Sequence, residues 1–196
     1  MRTPLFLFLL FALGACNTET VDTQNAYGQR IQYERKKGSL ARHGRFMRYH
    51  DNGKLAETAR YEQDTLEGER RLFYPDGRLE SVEIYKKGVL HGPFRRYHPN
   101  GALFIEQEFR QGAMEGYSLR YYPNGRLEEK VAIRNNEENG PFLEYYENGR
   151  LKASGVYVYD EGALEQGELK EYDEQGVLIR IADCARGVCR TRWKKE

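Results

Sequence analysis

RYYPNGRL, residues 120–127, is one copy of a phrase that returns along the chain. The others are RYHDNGKL at 48–55, LFYPDGRL at 72–79, RYHPNGAL at 96–103 and EYYENGRL at 144–151. Aligned on the turn glycine, the series runs Gly53, Gly77, Gly101, Gly125, Gly149 and Gly176, with four intervals of 24 residues and a last of 27. A second series, Gly44, Gly68, Gly92, Gly116, Gly140 and Gly167, keeps the same rhythm. Two glycine series with one spacing define a repeat protein, and that period governs every other reading.

The phrase encodes a turn. Three-residue hairpin loops use a type I turn followed by a left-handed residue. Pro75, Pro99 and Pro123 stand where a fixed φ near −65° is wanted, and glycine takes the left-handed position without steric cost.

The tip also sets a register. With 51–53 as loop, Tyr49 faces Leu55. The same arithmetic pairs Phe73 with Leu79, Tyr97 with Leu103, Tyr121 with Leu127, Tyr145 with Leu151 and Tyr172 with Leu178. Strict alternation then puts Tyr61, Tyr85, Phe109, Ile133 and Tyr157 on that same face, and Glu80, Glu106, Glu128 and Lys152 on the other. The second turns carry Leu66, Leu90 and Met114, expected to fold over the sheet edge. Glu138 breaks that pattern and implies a looser loop.

No helical period survives beyond residue 30. The expected fold is all-β: a single elongated, curled antiparallel β-meander of about six 24-residue hairpin repeats, with about a dozen strands. One hairpin is too small to stand alone, so stacking must supply the stability.

Charge is balanced, 31 basic against 30 acidic residues, which argues against a nucleic-acid partner. Fifteen Tyr in a chain that is 13% aromatic exceed what a disordered segment carries.

Residues 1–15 read as a targeting leader: Arg2, then an apolar run over 5–13, too short for the roughly 20 residues of a membrane span. The run ends in Leu13-Gly14-Ala15-Cys16, which resembles the lipobox of bacterial lipoproteins. That resemblance implies that Cys16 is acylated and becomes the new N-terminus. It also implies that the chain is exported and lipid-anchored to the cell envelope, at the outer membrane where the host has one. Residues 16–30 then form the acylated Cys and a polar tether, 31–183 the repeat array, and 184–196 a C-terminal cap. Outside the cytoplasm, Cys184 and Cys189 are expected to form a disulfide across a hairpin tip at Arg186-Gly187.

The pattern Tyr-Tyr/His-x-Asn-Gly-x-Leu, then Tyr-x-x-Gly-x-x-x-Gly, resembles the bacterial MORN-repeat variant, grouped with YwqK-type antitoxins, over roughly 38–180. The resemblance implies a protein-binding or membrane-associated scaffold and, in the YwqK branch, neutralisation of a toxin. The lipobox-like stretch departs from a cytoplasmic antitoxin: either the antitoxin role does not carry over, or its target lies outside the cytoplasm.

No catalytic residue, metal or cofactor is expected. His43 and His91, and likewise His50 and His98, stand two repeats apart, roughly 19 Å at about 4.8 Å per strand, too far to share a metal. Glu128 and Glu129, adjacent on a strand, are expected on opposite faces, and Glu137 and Glu138 in a solvated loop. No nucleophile elbow, phosphate loop or His-Glu-x-x-His occurs. The expected partner-binding face is the row Tyr49, Phe73, Tyr97, Tyr121 and Tyr145, with Met47, Arg71, Arg95 and Leu119 varying between its rungs. The expected partners are another envelope or secreted protein, a toxin among the candidates, and the membrane through the N-terminal lipid. Two alternatives stand beside this: a glycan-binding surface lipoprotein with Tyr rings stacked on sugars, and a structural envelope protein with no discrete ligand.

Overall fold

The computed structural model describes residues 17–196. The leader and Cys16 lie outside the described residues. Hairpins follow one another in chain order: β1 (Thr18–Gln24) with β2 (Arg30–Lys36), then β3 (Arg42–Tyr49), β4 (Leu55–Glu62), β5 (Thr65–Leu66), β6 (Gly68–Phe73), β7 (Leu79–Lys86), β8 (Val89–Leu90) and β9 (Gly92–Tyr97). They continue through β10 (Leu103–Arg110), β11 (Ala113–Tyr121), β12 (Leu127–Arg134), β13 (Glu137–Tyr145), β14 (Leu151–Tyr159), β15 (Ala163–Glu165), β16 (Gly167–Tyr172), β17 (Leu178–Ala185) and β18 (Val188–Lys194). All belong to one open antiparallel sheet of 18 strands. The count exceeds a dozen because β5, β8 and β15 are split from their continuations by one residue, and because strands are added at both ends. Residues 18–24, expected within a polar tether, instead form β1 and pair in full register with β2, from Thr18↔Lys36 to Gln24↔Arg30.

Every tip has the expected register: Tyr49↔Leu55, Phe73↔Leu79, Tyr97↔Leu103, Tyr121↔Leu127, Tyr145↔Leu151 and Tyr172↔Leu178. The amide of the tip glycine bonds back to the carbonyl three residues earlier, as Gly125 N to Tyr122 O at 2.8 Å, with Gly125 at φ 83°. The first four second turns are two-residue loops with both members left-handed, Gln63-Asp64, Lys87-Gly88, Gln111-Gly112 and Asn135-Asn136, which matches the strand twist, whereas the fifth spans 160–162. The Asn135 turn is no looser than the rest. Asn136 Oδ1 accepts from Met114 N at 2.7 Å, and β13 runs unbroken. Leu66, Leu90 and Met114 do not fold over an edge. They pair across the ladder with Tyr61, Tyr85 and Phe109.

One feature overturns the expected division of the faces. After each tip, the outgoing strand carries a bulge: Arg120 pairs with Glu129 while Tyr121 pairs with Leu127, leaving Glu128 extra, and the other tips repeat this shift. A bulge reverses the alternation beyond it. Tyr61, Tyr85, Phe109, Ile133 and Tyr157 therefore lie opposite to the Tyr49–Tyr145 row. They share a face with Phe46, Phe94 and Phe142, as the Phe46–Tyr61 and Phe142–Tyr157 ring contacts confirm. We call this the Phe face, and the opposite one the Tyr face.

The Phe face holds most of the buried core: Phe46, Ala59, Val131, Ile133, Phe142, Ala153, Ala182 and Cys184. At 155 the chain has no side chain because none fits. A Cβ there would stand 2.7 Å from Phe142 Cε1. The sheet ends in a Cys184–Cys189 disulfide between β17 and β18, across the Arg186-Gly187 turn.

Candidate functional site

The recurrent phrase is spent on joining one tip to the next. Tyr74, Tyr122 and Tyr146 donate their hydroxyls to the carbonyls of Tyr97, Tyr145 and Tyr172 at 2.7–2.8 Å. His50 and His98 occupy the equivalent position, and their Nε2 atoms make the same bond to the carbonyls of Phe73 and Tyr121 at 2.8 Å. The four expected histidine positions thus include two that stand in for Tyr. Asn52, Asn100, Asn124 and Asn148 add a second link, from Nδ2 to the carbonyls of Pro75, Pro123, Glu147 and Glu174. Arg78, Arg126 and Arg150 add a third. The series stops at Asp173, whose carboxylate accepts from the amides of Gln175 and Val177 within its own tip.

The expected binding row, Tyr49, Phe73, Tyr97, Tyr121 and Tyr145, lies along the Tyr face, and all five are half-buried. Between its rungs the face changes character along the array. The position held by Arg45 and Glu69 in the first two repeats is Pro93, Tyr117 and Pro141 in the next three. That held by Met47, Arg71 and Arg95 becomes Leu119 and Leu143. That held by Arg60, Ile84 and Glu108 becomes Ala132 and Val156. The register brings these together through Tyr117↔Ala132 and Pro141↔Val156. Tyr117 is 46% exposed and Val156 40%, so this is an open apolar island rather than core. Lys130 lies 4.1 Å over the Tyr117 ring.

The Phe face carries charge as well as core. Arg70 takes the place of Phe46, Phe94 and Phe142 in its repeat. It bonds to Glu57 at 2.7 Å and Glu83 at 3.0 Å, while Arg48 holds the other oxygen of Glu57 and Tyr85 donates to Glu83. Buried carboxylates need such partners. Glu128 and Glu129, expected on opposite faces, both reach Arg120, at 3.1 and 3.3 Å, because the bulge turns the extra residue to the same side as its neighbour. Burial, against the pull of Arg120, raises the Glu129 pKa, and Glu138, Glu144 and Glu128 add to the rise.

Further along this face lies an open cavity of roughly 290 Å³. Phe142, Tyr157 and Leu169 form its floor, and Glu144, Glu165 and Glu171 stand around it. Phe142 and Tyr157 stack with centroids 4.3 Å apart. Burial, followed by the fields of Glu144, Glu165, Glu138 and Glu129, pushes the Tyr157 hydroxyl up to about 12. Sequence reasoning missed this cavity. Its signal was present in the repeat alignment, where the position of Leu66, Leu90 and Met114 becomes Glu138 and Glu165.

The family model described as MORN repeat variant matches residues 42–63, 66–87, 90–111, 114–135 and 138–159, together more than half of the chain. Among curated proteins no match is found. A solved structure described as a porin-like protein from Bacteroides uniformis ATCC 8492 is similar at 8% identity, covering 89% of this chain and 92% of that one, with a TM-score of 0.24.

Proposed function

This chain belongs to the MORN repeat variant family, and from that premise we propose that it is a lipid-anchored scaffold of the cell envelope that binds another protein through its Tyr face. The observation that carries this reading is the island of Tyr117, Pro141, Leu143 and Val156, flanked by the half-buried rings of Tyr121 and Tyr145. An exposed apolar patch bordered by charge is the usual mark of a protein contact. Tyr and Leu give such a patch large area, and Lys130 gives it polar definition. The tip residues are occupied in holding the array together, so the strand faces are where recognition resides. The lipobox at Leu13–Cys16 supports anchoring. An immunity or antitoxin role is the form this takes when the partner is a toxin active outside the cytoplasm.

The test has two parts. Cross-linking in intact cells, with a photoreactive residue at 117 or 156, is expected to trap a discrete envelope protein. Labelling at 45, on the polar part of the same face, is not. Equal trapping at 45 and 117, or none at either, rejects the reading. Metabolic labelling with an alkynyl fatty acid is expected to mark the wild type and leave Cys16→Ser unmarked. For the immunity form, deletion must sensitise the cell to a toxin of its own kind.

A further inference from the structure

We propose that the cavity on the Phe face of the last two repeats is a second recognition site, which takes a lysine or arginine side chain from a partner polypeptide. It goes beyond the Tyr-face reading and lies on the opposite surface of the sheet.

The repeat supplies its own comparison. In the first three units Leu66, Leu90 and Met114 pair with Tyr61, Tyr85 and Phe109 and cover those rings with apolar surface. In the fourth and fifth, Glu138 pairs with Ile133 and Glu165 with Tyr157. A carboxylate facing an apolar or aromatic neighbour contributes nothing to packing and loses hydration there. Neither Glu138 nor Glu165 has a side-chain hydrogen bond or ion pair among the described residues, whereas Glu144 is held by Lys152 at 2.8 Å and Glu171 by Arg180 at 3.0 Å. Of these two unpaired carboxylates Glu165 lines the cavity, directly across the ladder from Tyr157 of the stacked aromatic pair. Ala153, which lines the cavity, leaves room there, and the 27-residue interval of the array falls in this unit.

Aromatic faces and a free carboxylate together fit an organic cation on an apolar stem: Coulomb attraction holds the head, cation–π and apolar contact hold the stem. A metal ion fits poorly, since no group of three or more His, Cys, Asp or Glu among the described residues could hold one. The volume, near the lower bound of about 300 Å³ for small-molecule pockets, suits one long side chain better than a cofactor.

The test uses the purified full chain and three capped tripeptides, acetyl-Leu-X-Leu-amide, with X arginine, lysine or citrulline. Citrulline keeps the shape of arginine and removes its charge. Titration followed by the aromatic resonances of Phe142 and Tyr157 is expected to show saturable shifts with the arginine and lysine peptides. It should show at least about tenfold weaker binding of the citrulline peptide. Glu165→Gln should weaken the arginine peptide about tenfold. Glu165→Leu, which restores the residue found at 66 and 90, should abolish binding while leaving the unfolding midpoint unchanged or raised. Tyr117→Lys, on the other face, should leave it intact, so loss of the Tyr-face partner and loss of this site are read separately. Equal affinity for the citrulline peptide, indifference to Glu165→Gln, loss in Tyr117→Lys, or no shift with any peptide would each overturn the assignment.

Discussion

Tyr146 donates its hydroxyl to the main-chain carbonyl of Tyr172 at 2.8 Å, across 26 residues of sequence. The bond spans two adjacent tips, and the same link recurs at Tyr74 and Tyr122. Tyr146→Phe keeps the ring and removes the donor. The expected loss is about 1 kcal/mol of unfolding free energy in urea, with faster amide exchange concentrated at 172–178. A uniform rise in exchange along the array would show that the tips are not coupled in this way.

Gly155 is a packing requirement of Phe142, its partner across the ladder. Gly155→Ala is expected to cost about 1–3 kcal/mol by forcing the Phe142 ring off its stack on Tyr157. Gly155→Ala combined with Phe142→Leu should recover part of that loss. Thermal unfolding of the two variants decides it, and a neutral single variant would remove the argument.

Arg70 sits between Glu57 and Glu83, whose side chains are only 7% and 11% exposed. Arg70→Ala leaves both carboxylates without their main partner and is expected to destabilise by about 3–5 kcal/mol. The repeat itself writes the apolar replacement. Phe stands at the equivalent of 70 in three other units, Ala at the equivalent of 57 in the fifth, Val at the equivalent of 83 in the fourth, and Leu72 marks the equivalent of 48. The combination Arg48→Leu, Glu57→Ala, Arg70→Phe and Glu83→Val should lie far closer to wild type than Arg70→Ala alone. If the quadruple variant proves the less stable, the charged centre is a source of stability and not a neutral substitute for core.

Glu129 provides a pH dependence with a defined sign. Burial raises its pKa in the folded chain, so the fold holds the proton more tightly than the unfolded chain does. That contribution is present below the ordinary glutamate range, near about pH 4, and is lost as pH rises through the window up to the raised value. Glu129→Gln should therefore gain in melting temperature relative to wild type at neutral pH, with the gap closing toward about pH 4. A gap that widens on acidification would mean that the Arg120 pair, not burial, governs this residue.

The period, the tips and the six aromatic–Leu registers were legible because glycine and proline state local geometry directly. What the sequence concealed was one residue per hairpin. Alternation carried outward from Leu127 places Val131 and Ile133 on the Tyr face, and the bulge at Glu128 sends them to the Phe face. Nothing in the composition of Leu127-Glu128-Glu129 marks a bulge. At two hairpins a cross-strand size rule carries a signal, although Phe94 faces Gln107. Phe46 and Phe142 need small residues opposite, and only the shifted register supplies Ala59 and Gly155. The sites were less legible for a related reason. The Tyr row announced itself by repetition, whereas the Tyr117 island and the Glu165 cavity exist only where the repetition lapses. The polar stretch 18–24 misled differently. Its Thr and Val favour a strand, and it needed only the edge of β2 to pair with.

The tip links all run one way. Each earlier unit gives the hydrogen and each later one receives it, from His50 through to Tyr172. Asp173, in the place where the next donor would stand, has no hydrogen to give when ionised and spends its oxygens on its own turn. The array thus has a grammar with a full stop. A further unit grafted behind Leu178 would meet a tip that cannot clasp it until Asp173 is rewritten as Tyr or His.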